Sequence, residues 1–440
     1  MRGVANIEPM TAETALAIGR AAAHVCKRHQ NRHRIVIGKD TRVSGYMLET
    51  ALTAGICSMG VDVLLVGPMP TPGIAFNTHS MRADAGLVIS ASHNPYQDNG
   101  IKIFSRDGYK IPDDVEAEIE SLVTTGKIKD IRPTAEAIGK AHRIDDAIGR
   151  YIIFCKNTFP DDLTLEGLKV VLDCANGATY KVAPIVFSEL GAEVITINDH
   201  PNGMNINDNC GALYPEGLAK KVVETGANAG LAFDGDGDRL VAVDEKGNFL
   251  TGDHIMTICA KALKECGLLR NNLVVATPMS NFGFRQALQR LDIRIAEADV
   301  GDRYVLKMMR EKGAIFGGED SGHIIFLNHH TTGDGIISAL QLLANLRSDG
   351  RKLSELRGLL QLAPQKMLNV TVSKKPPLDE IKPLQEAVRE AERELAGQGR
   401  VLVRYSGTQP ICRVMVESME QTLTDRLAAS LAEIVKTALT

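Results

Sequence analysis

The chain has 440 residues, which is too long for one hydrophobic core, so two to four domains are expected. Its formal net charge of −4 gives no electrostatic argument for binding nucleic acid or an anionic membrane surface. No stretch reaches the roughly 18 unbroken apolar residues of a membrane helix, and the eight cysteines form no Cys-x-x-Cys pair, which favours a reduced, cytoplasmic enzyme.

Three segments repeat the order strand, loop, helix, strand. They lead from residues 34–37 to 61–65, from 169–172 to 190–194 and from 273–276 to 291–294. This order is typical of a mixed or parallel sheet covered by helices. The sequence therefore predicts three α/β domains, which we place at residues 1–150, 151–250 and 251–365.

The remaining residues, 366–440, have a different pattern. Pro376 and Pro377 precede a helical stretch rich in Glu, Arg and Ala, and two short strands then bracket the loop 404–413. A final helical pattern follows. The sequence predicts a smaller α+β domain here.

The strand 87–89 opens into the polar sequence Ser-Ala-Ser-His-Asn-Pro at residues 90–95. Pro95 keeps the preceding asparagine away from helical geometry. Ser92 beside His93 suggests a nucleophile with its base. An acyl-transfer enzyme would need a Gly-x-Ser-x-Gly turn and a third partner, and neither is found here. On these residues alone, an ordinary polar turn is the alternative.

Asp234, Asp236 and Asp238 alternate with glycines in a loop between two apolar runs. Three like charges so close repel one another unless a cation lies among them. Carboxylate oxygens on a flexible loop suit Mg²⁺ or Ca²⁺ rather than zinc. An EF-hand is one alternative, but Arg239 stands where its glycine is required, and the flanks resemble strands. An acidic surface turn is the other. The pattern favours a metal site.

Two further clusters have the composition of binding loops. Residues 317–323, Gly-Gly-Glu-Asp-Ser-Gly-His, combine an acid, a hydroxyl and an imidazole that suit a polyol, although a plain turn would look similar. Arg404 and Arg413 flank a loop with two hydroxyls and Gly407, a combination that can bind phosphate through guanidiniums and backbone N–H groups. No Gly-x-x-x-x-Gly-Lys-Ser/Thr motif exists, so a nucleoside triphosphate is not implied.

In this order, and with Gly-Lys-Asp-Thr-Arg-Val-Ser-Gly at residues 38–45, the four clusters closely resemble those of the α-D-phosphohexomutases over nearly the whole chain. The resemblance implies an α/β fold of four domains around a central cleft: three similar α/β domains with mixed sheets and a smaller α+β C-terminal domain. It also implies a phosphate carried on Ser92, one Mg²⁺ per chain and a hexose or hexosamine 1,6-bisphosphate as activator.

The family's functional residues carry over to matching positions of this chain. The resemblance assigns catalytic roles to Ser92, His93, Lys102, Arg42, Arg239 and His323, with Lys102 and His323 as acid/base groups; substrate binding to Glu319, Ser321, Arg303, Arg404, Ser406, Gly407, Thr408 and Arg413; and metal binding to Ser92, Asp234, Asp236 and Asp238. Gln409 departs from the family, which usually has Glu there, and an uncharged amide beside a phosphate should be tolerated.

Residues 300–305 and 318–323 resemble the branch of the family that acts on glucosamine phosphates. The expected enzyme is an isomerase that interconverts glucosamine 6-phosphate and glucosamine 1-phosphate through a phosphoserine and a bisphosphate, feeding UDP-N-acetylglucosamine and cell-wall precursor synthesis. The alternatives are a mutase for glucose or mannose phosphates and a catalytically impaired sugar-phosphate-binding relative. The expected partner is a small hexosamine phosphate, with neither nucleic acid nor membrane, and the chain is expected to be a monomer or homodimer.

The sequence begins with Arg-Gly-Val-Ala-Asn directly after Met1, where the family has a further strand and a Thr-Asp-Gly turn. We therefore expect the natural product to carry about ten more residues, enough for a strand and a turn. On the chain as given, Arg2 is expected to lie on a frayed terminus. This version of the chain is therefore expected to be less stable, less active, or both.

Overall fold

The computed structural model describes residues 1–27, 33–131, 133, 135–406 and 410–439. The chain divides into two compact units: Met1–Pro278 with Ile295–Gly358, and Met279–Arg294 with Leu359–Thr440. Within the described ranges, none of the helices combines the length and hydrophobicity needed to cross a membrane.

The first repeat forms a six-stranded sheet in the order β1-β5-β4-β2-β3-β6. Its strands β2, β3, β4 and β6 are parallel, and β5 is antiparallel to both β4 and β1. Its elements are β1 (Arg2–Val4), α1 (Ala12–Cys26), β2 (Arg34–Lys39), α2 (Ser44–Cys57), β3 (Asp62–Pro68), α3 (Thr71–Ser80), β4 (Ala85–Ile89), β5 (Asp98–Ser105), α4 (Asp113–Thr124) and β6 (Ala141–Arg143).

The central strands of this sheet are buried on both faces. Ile35 and Ile37 of β2 pack in one apolar cluster with α1 and α2, whereas Val36 packs in a second cluster with α3. Helices thus cover the sheet on both sides. This is why these strands read as continuous apolar runs rather than as an alternating pattern.

The second repeat has the strand order β11-β10-β9-β7-β8, and the third has β13-β12-β14-β15. The elements of the second are α5 (Ala147–Lys156), β7 (Lys169–Asp173), α6 (Val182–Glu189), β8 (Glu193–Ile197), α7 (Glu216–Thr225), β9 (Ala229–Phe233), β10 (Leu240–Asp244) and β11 (Phe249–Leu250). Those of the third are α8 (Gly252–Glu265), β12 (Leu273–Ala276), α9 (Phe282–Arg290), β13 (Arg294–Glu297), α10 (Asp302–Lys312), β14 (Phe316–Gly318), β15 (Ile324–Phe326), α11 (Gly335–Asp349) and α12 (Leu353–Arg357).

The three repeats share one topology, which confirms the prediction of three similar α/β segments with mixed sheets. The shared orders are β3-β2-β4-β5, β8-β7-β9-β10 and β13-β12-β14-β15. In each, the last strand is the antiparallel hairpin partner of the strand before it. The hairpin loops are residues 90–97, 234–239 and 319–323, so each predicted cluster lies in the same place of its repeat. The boundaries at residues 150, 250 and 365 stay predictions.

The C-terminal segment forms the three-stranded antiparallel sheet β16-β18-β17, which packs against two helices. Its elements are β16 (Gln365–Thr371), α13 (Lys382–Leu395), β17 (Gly399–Tyr405), β18 (Ile411–Ser418) and α14 (Gln421–Leu439). The predicted smaller α+β segment is therefore confirmed. Strand β16 was missed because its mostly exposed residues give little apolar signal.

The expectation that Arg2 lies on a frayed terminus is wrong. Strand β1 pairs with β5, with Arg2 opposite Gly100, and the Met1 ammonium donates to the carbonyl oxygen of Ile101 at 3.2 Å. β5 pairs with β4 along one edge, and the backbone groups of its other edge hold this short strand in place.

Candidate active site

Ser92 lies in the hairpin loop after β4 and adopts a left-handed backbone conformation, with φ of +54° and only 4% of the residue exposed. Residues other than glycine rarely adopt this conformation, so neighbouring contacts must hold it. The backbone N–H of Ser92 donates to Ser90 Oγ at 2.9 Å, and that hydroxyl donates to Asp40 Oδ2 at 2.6 Å. These bonds hold the loop in the strained geometry.

Arg42 lies beneath the same loop and is fully buried. Its Nε donates to Asp40 Oδ2 at 2.9 Å, and its Nη2 donates to the carbonyl oxygens of Ser92 and Asn94, each at 2.9 Å. Its Nη1 donates to the carbonyl oxygen of Pro95. The guanidinium therefore supports the loop backbone, and its predicted catalytic role stays a prediction.

The aspartate loop lies directly against Ser92. The hydroxyl of Ser92 donates to Asp234 Oδ2 at 2.6 Å. Ligand oxygens of Asp234, Asp236 and Asp238 lie within 4.8 Å of one another, and all three side chains are buried. A Cβ atom added at Gly235 would lie 2.7 Å from the Ser92 carbonyl oxygen, so only glycine allows the two loops to approach so closely.

The donor set at this loop fits a divalent cation. Asp236 Oδ1 and Asp238 Oδ1 are buried oxygens without a hydrogen-bond partner among the described residues, which is costly unless something else satisfies them. Burial, together with the neighbouring Asp238 and Asp236, raises the pKa of Asp234 well above its usual range. Clustered carboxylate oxygens are the ligands that Mg²⁺ prefers.

Two cationic side chains border the carboxylates. Lys102 Nζ donates to Asp236 Oδ2 at 2.6 Å and lies 3.8 Å from Asp238 Oδ2. Burial opposes the charged form of Lys102, but Asp236 and Asp238 outweigh it and raise its pKa. Arg239 lies on the other side, where its backbone N–H donates to Asp234 Oδ1 at 3.2 Å and its Nε lies 3.9 Å from Asp238 Oδ1. Both cations therefore border the aspartate loop, which the Ser92 hydroxyl contacts through Asp234.

His93 Nδ1 lies 3.2 Å from Ser92 Oγ. Burial and the nearby Arg239 lower the pKa of His93 to about 4, so its imidazole is neutral at physiological pH. The structure therefore places a neutral ring against the hydroxyl, and the catalytic role of His93 stays a prediction.

His323 lies at the end of the third hairpin loop and points toward the aspartate loop. Its Nδ1 is 3.6 Å from Asp238 Oδ2, and its Nε2 accepts from the Gly333 N–H at 3.3 Å. Asp302, which pairs with Lys110, lies 3.8 Å from the same Nε2. His323 was predicted from the sequence, whereas Asp302 and Lys110 were not.

The predicted sugar-binding residues are engaged to different extents. Glu319 Oε1 accepts from the Gly301 N–H at 3.0 Å, and Ser321 is exposed in the loop 319–323. Arg303 forms ion pairs with Asp113 and Glu116 at the start of α4. Substrate binding by these three residues stays a prediction.

The loop 404–413, predicted to bind phosphate, belongs to the second compact unit. Arg404 of β17 is directly opposite Arg413 of β18, so both side chains leave the same face of the sheet. The carbonyl oxygen of the buried Ser406 accepts from Lys375 Nζ at 2.7 Å, a neighbour the sequence analysis missed. Gly407, Thr408 and Gln409 lie outside the described residues.

Two more residues that the sequence analysis missed support the loops of the site. The hydroxyl of Thr71, at the start of α3, donates to Asp236 Oδ2 at 2.5 Å, and its N–H donates to the Asp236 carbonyl oxygen at 2.8 Å. Asn207 donates to the backbone of the Ser92 loop. Neither residue belongs to a recognisable motif, and their proximity to the site arises only on folding.

Comparison with family models gives four matches that together span most of the chain. Each is described as part of phosphoglucomutase/phosphomannomutase: alpha/beta/alpha domain I at residues 1–129, domain II at 150–247, domain III at 251–362 and the C-terminal domain at 367–434.

Curated relatives match over almost their whole length. A phosphoglucosamine mutase of Syntrophus aciditrophicus is 57% identical over 436 residues, which cover 99% of this chain and 97% of the relative. One of Syntrophotalea carbinolica is 57% identical over 437 residues, covering 99% and 96%.

Solved structures share the fold. A phosphoglucomutase/phosphomannomutase family protein of Burkholderia thailandensis matches with a TM-score of 0.82 and 25% identity, covering 100% of this chain and 96% of that one. The Aspergillus fumigatus N-acetylphosphoglucosamine mutase, solved with GlcNAc-6P and magnesium, matches with a TM-score of 0.64 and 19% identity, covering 84% and 92%.

Proposed function

Because this chain belongs to the phosphoglucomutase/phosphomannomutase family, we propose that it is an isomerase that interconverts glucosamine 6-phosphate and glucosamine 1-phosphate. The identity of 57% to phosphoglucosamine mutases, over nearly the full length of both chains, supports this substrate. The product would feed UDP-N-acetylglucosamine and cell-wall precursor synthesis. The observation that carries the chemistry is the 2.6 Å contact between the Ser92 hydroxyl and Asp234 of the buried aspartate loop.

In the proposed reaction, Ser92 carries the phosphoryl group. The bond between phosphorus and Ser92 Oγ breaks, a bond to the free sugar hydroxyl forms, and the hydroxyl proton passes to a base of the enzyme. The resulting 1,6-bisphosphate reorients and its other phosphoryl group returns to Ser92 Oγ. The protonated base gives its proton to the sugar oxygen that loses this group, so atoms and charge balance over the cycle. A free 1,6-bisphosphate would phosphorylate Ser92 at the start and therefore act as activator.

Asp234, Asp236 and Asp238, with the oxygen at Ser92, would hold one Mg²⁺. When bound, the ion would offset the charge of the phosphoryl group and polarise its oxygens. Lys102 and Arg239 supply positive charge at the aspartate loop that the Ser92 hydroxyl contacts, and preorganised charge carries most of phosphoryl-transfer catalysis. Proton transfer by Lys102 and His323 stays a prediction.

Substrate phosphate would bind at Arg404 and Arg413. Paired guanidiniums bind phosphate through charge-assisted hydrogen bonds, and these two leave the same face of the C-terminal sheet. Since each substrate presents its unreacted phosphate here, the two arginines must accept a phosphate on either end of the sugar.

The test is a mutase assay with glucosamine 6-phosphate, Mg²⁺ and a trace of sugar bisphosphate. We expect kcat/KM to be highest for glucosamine 6-phosphate when it is compared with the 6-phosphates of glucose and mannose. A preference for glucose or mannose would assign the chain to that activity instead. No activity on any of the three, with Ser92 phosphorylated, would refute the proposed function.

A further inference from the structure

Asn207 belongs to the second repeat, between β8 and α7, yet its side chain reaches the Ser92 loop of the first repeat. Its Nδ2 donates to the carbonyl oxygen of Ser92 at 2.9 Å and to that of Asn94 at 3.0 Å. The residue is 7% exposed and holds a left-handed conformation, with φ of +58°. The carboxamide therefore binds both ends of the turn that contains the phosphoryl-carrying residue.

Asn207 and Arg42 donate to the same two oxygens. Arg42 Nη2 also contacts the carbonyl oxygens of Ser92 and Asn94, each at 2.9 Å. A carbonyl oxygen has two lone pairs, and here each oxygen accepts one charged and one neutral donor. The two peptide planes are consequently fixed from both sides, which holds Ser92 at a φ that it would otherwise rarely adopt.

The backbone of Asn207 is itself anchored in the second repeat. Its N–H donates to the Ala175 carbonyl oxygen at 2.9 Å. The buried carboxylate of Asp173 accepts from Ala175 N and from Gly211 N, each at 2.9 Å, and so joins the loop that Asn207 contacts to the chain that follows Asn207. The amide group thus extends from a rigid base.

The same amide group lies against the aspartate loop. A Cβ atom added at Gly235 would lie 2.7 Å from Asn207 Nδ2 and 2.7 Å from the Ser92 carbonyl oxygen. Asn207 therefore fills the space where the first and second hairpin loops meet. A change in its position would alter the spacing between the Ser92 hydroxyl and Asp234.

We propose that Asn207 is a positioning residue for phosphoryl transfer, one that fixes the Ser92 loop against the aspartate loop without contacting the reacting atoms. The proposal rests on the proposed mutase function. When phosphoryl groups arrive and leave, their charge pulls on this loop, and the paired donors of Asn207 and Arg42 keep the oxygen of Ser92 aligned. Misplacement by about 1 Å costs roughly 100-fold in rate.

The test compares Asn207→Gly with Asn209→Gly. Asn209 lies in the same segment, is exposed and also has a left-handed φ, of +50°. Among the residues that the structure describes, its side chain donates only to Asp208. Glycine accepts this φ at both positions, so both variants should fold, and only the first loses donors to the Ser92 loop. We expect kcat to fall by about 10- to 100-fold in Asn207→Gly with KM changed less than about 2-fold, and no change in Asn209→Gly.

Asn207→Asp keeps the shape of the side chain but removes both donors. It should lower kcat at least as far as glycine does, because its carboxylate would face two carbonyl oxygens. If Asn207→Gly retains wild-type kcat, or if KM rises as much as kcat falls, the proposal is overturned.

Hydrogen exchange of the peptide 88–98 gives a readout that does not depend on turnover. Exchange in this peptide should be faster in Asn207→Gly than in the wild type, and unchanged in Asn209→Gly, while peptides of β17 and β18 stay as in the wild type. Unchanged exchange would overturn the proposal. If the wild-type protein has no mutase activity but exchange is still faster in Asn207→Gly, the proposed function is refuted. The role of Asn207 in fixing the Ser92 loop would then stand.

Discussion

The Ser92 loop and the Asp234 loop occupy the same place in two repeats, and each has one residue with a left-handed φ, but the type of that residue differs. In the first, Ser92 has a φ of +54°, whereas in the second Gly237 has a φ of +71°. The third hairpin loop follows the second, with Gly322 at +89°. Of these three loops, only the Ser92 loop has a side chain on its left-handed residue.

The difference shows how a repeated topology is adapted to chemistry. Glycine adopts the left-handed region without penalty, but for other residues it costs about 1–2 kcal/mol. At Ser92 that cost is offset by donors from Arg42 and Asn207. In the aspartate loop the residue with the left-handed φ is Gly237, so the backbone carries no such cost.

Removing the Ser92 hydroxyl should have the largest effect on turnover. In Ser92→Ala the strained backbone is kept but the phosphoryl carrier is lost, so mutase turnover should fall to the assay background while the fold remains. The measurement is kcat with Mg²⁺ and bisphosphate, with circular dichroism as a check on folding. Near-wild-type turnover in this variant would contradict the proposed mechanism.

Removing one carboxylate from the aspartate loop should have the next largest effect. Asp236→Asn replaces a charged oxygen with a neutral amide, a poorer ligand for a hard cation, and removes the anionic partner of Lys102. Mg²⁺ affinity, measured by calorimetry, and kcat should fall together, whereas the exposed Asp208→Asn should change neither. Full activity of the wild type in excess EDTA would show that no metal is required.

The arginines of the second unit should affect binding rather than the chemical step. Losing one charge-assisted hydrogen bond in Arg404→Ala costs about 1.5–3 kcal/mol, or roughly 10- to 150-fold in affinity. KM should rise by that factor in both reaction directions, since both substrates present a phosphate. Arg389→Ala, on an exposed position of α13, is the control. A defect in one direction only would show that the two substrates do not share this loop.

The smallest predicted effect concerns stability and compares the two loops directly. Ser92→Gly should be more stable than Ser92→Ala by about 1 kcal/mol, because it relieves the left-handed strain. Gly237→Ala should lose at least that much, since its Cβ would lie 2.6 Å from Thr179 Cγ2. Urea denaturation measures both differences. Equal stability of the two Ser92 variants would mean that the backbone at Ser92 is not strained.

The sequence predicted the residues that lie together in one loop. Ser92 with His93, and Asp234 with its neighbours, are contiguous, so their chemistry can be read from a short motif. Asn207 contacts Ser92 across 115 positions of the chain, and Lys102 contacts Asp236 across 134. The role of Asn207 could not be inferred from sequence, because no local pattern records such distant pairings.

The fold was predicted well where apolar runs are buried and less well elsewhere. The strand expected at residues 291–294 lies three residues later, because Leu291 ends α9 and Asp292 turns the chain with a φ of +50°. The apolar Leu291 was thus mistaken for the start of a strand. Periodicity in the sequence does not reveal the direction of a strand. It therefore could not show that each of the three loops joins two antiparallel strands.

The proposal that Ser92 carries the phosphoryl group is tested most directly by a single-turnover chase. The wild-type protein is labelled with radioactive phosphate, the label is located on Ser92 by peptide mapping, and the protein is mixed rapidly with unlabelled glucosamine 6-phosphate and Mg²⁺. We predict that the label leaves Ser92 and appears first in glucosamine 1,6-bisphosphate and then in glucosamine monophosphate. Label that remains on the protein, or that is released as inorganic phosphate at the same rate with and without sugar, would contradict the claim that Ser92 carries the phosphoryl group between the two ends of the substrate.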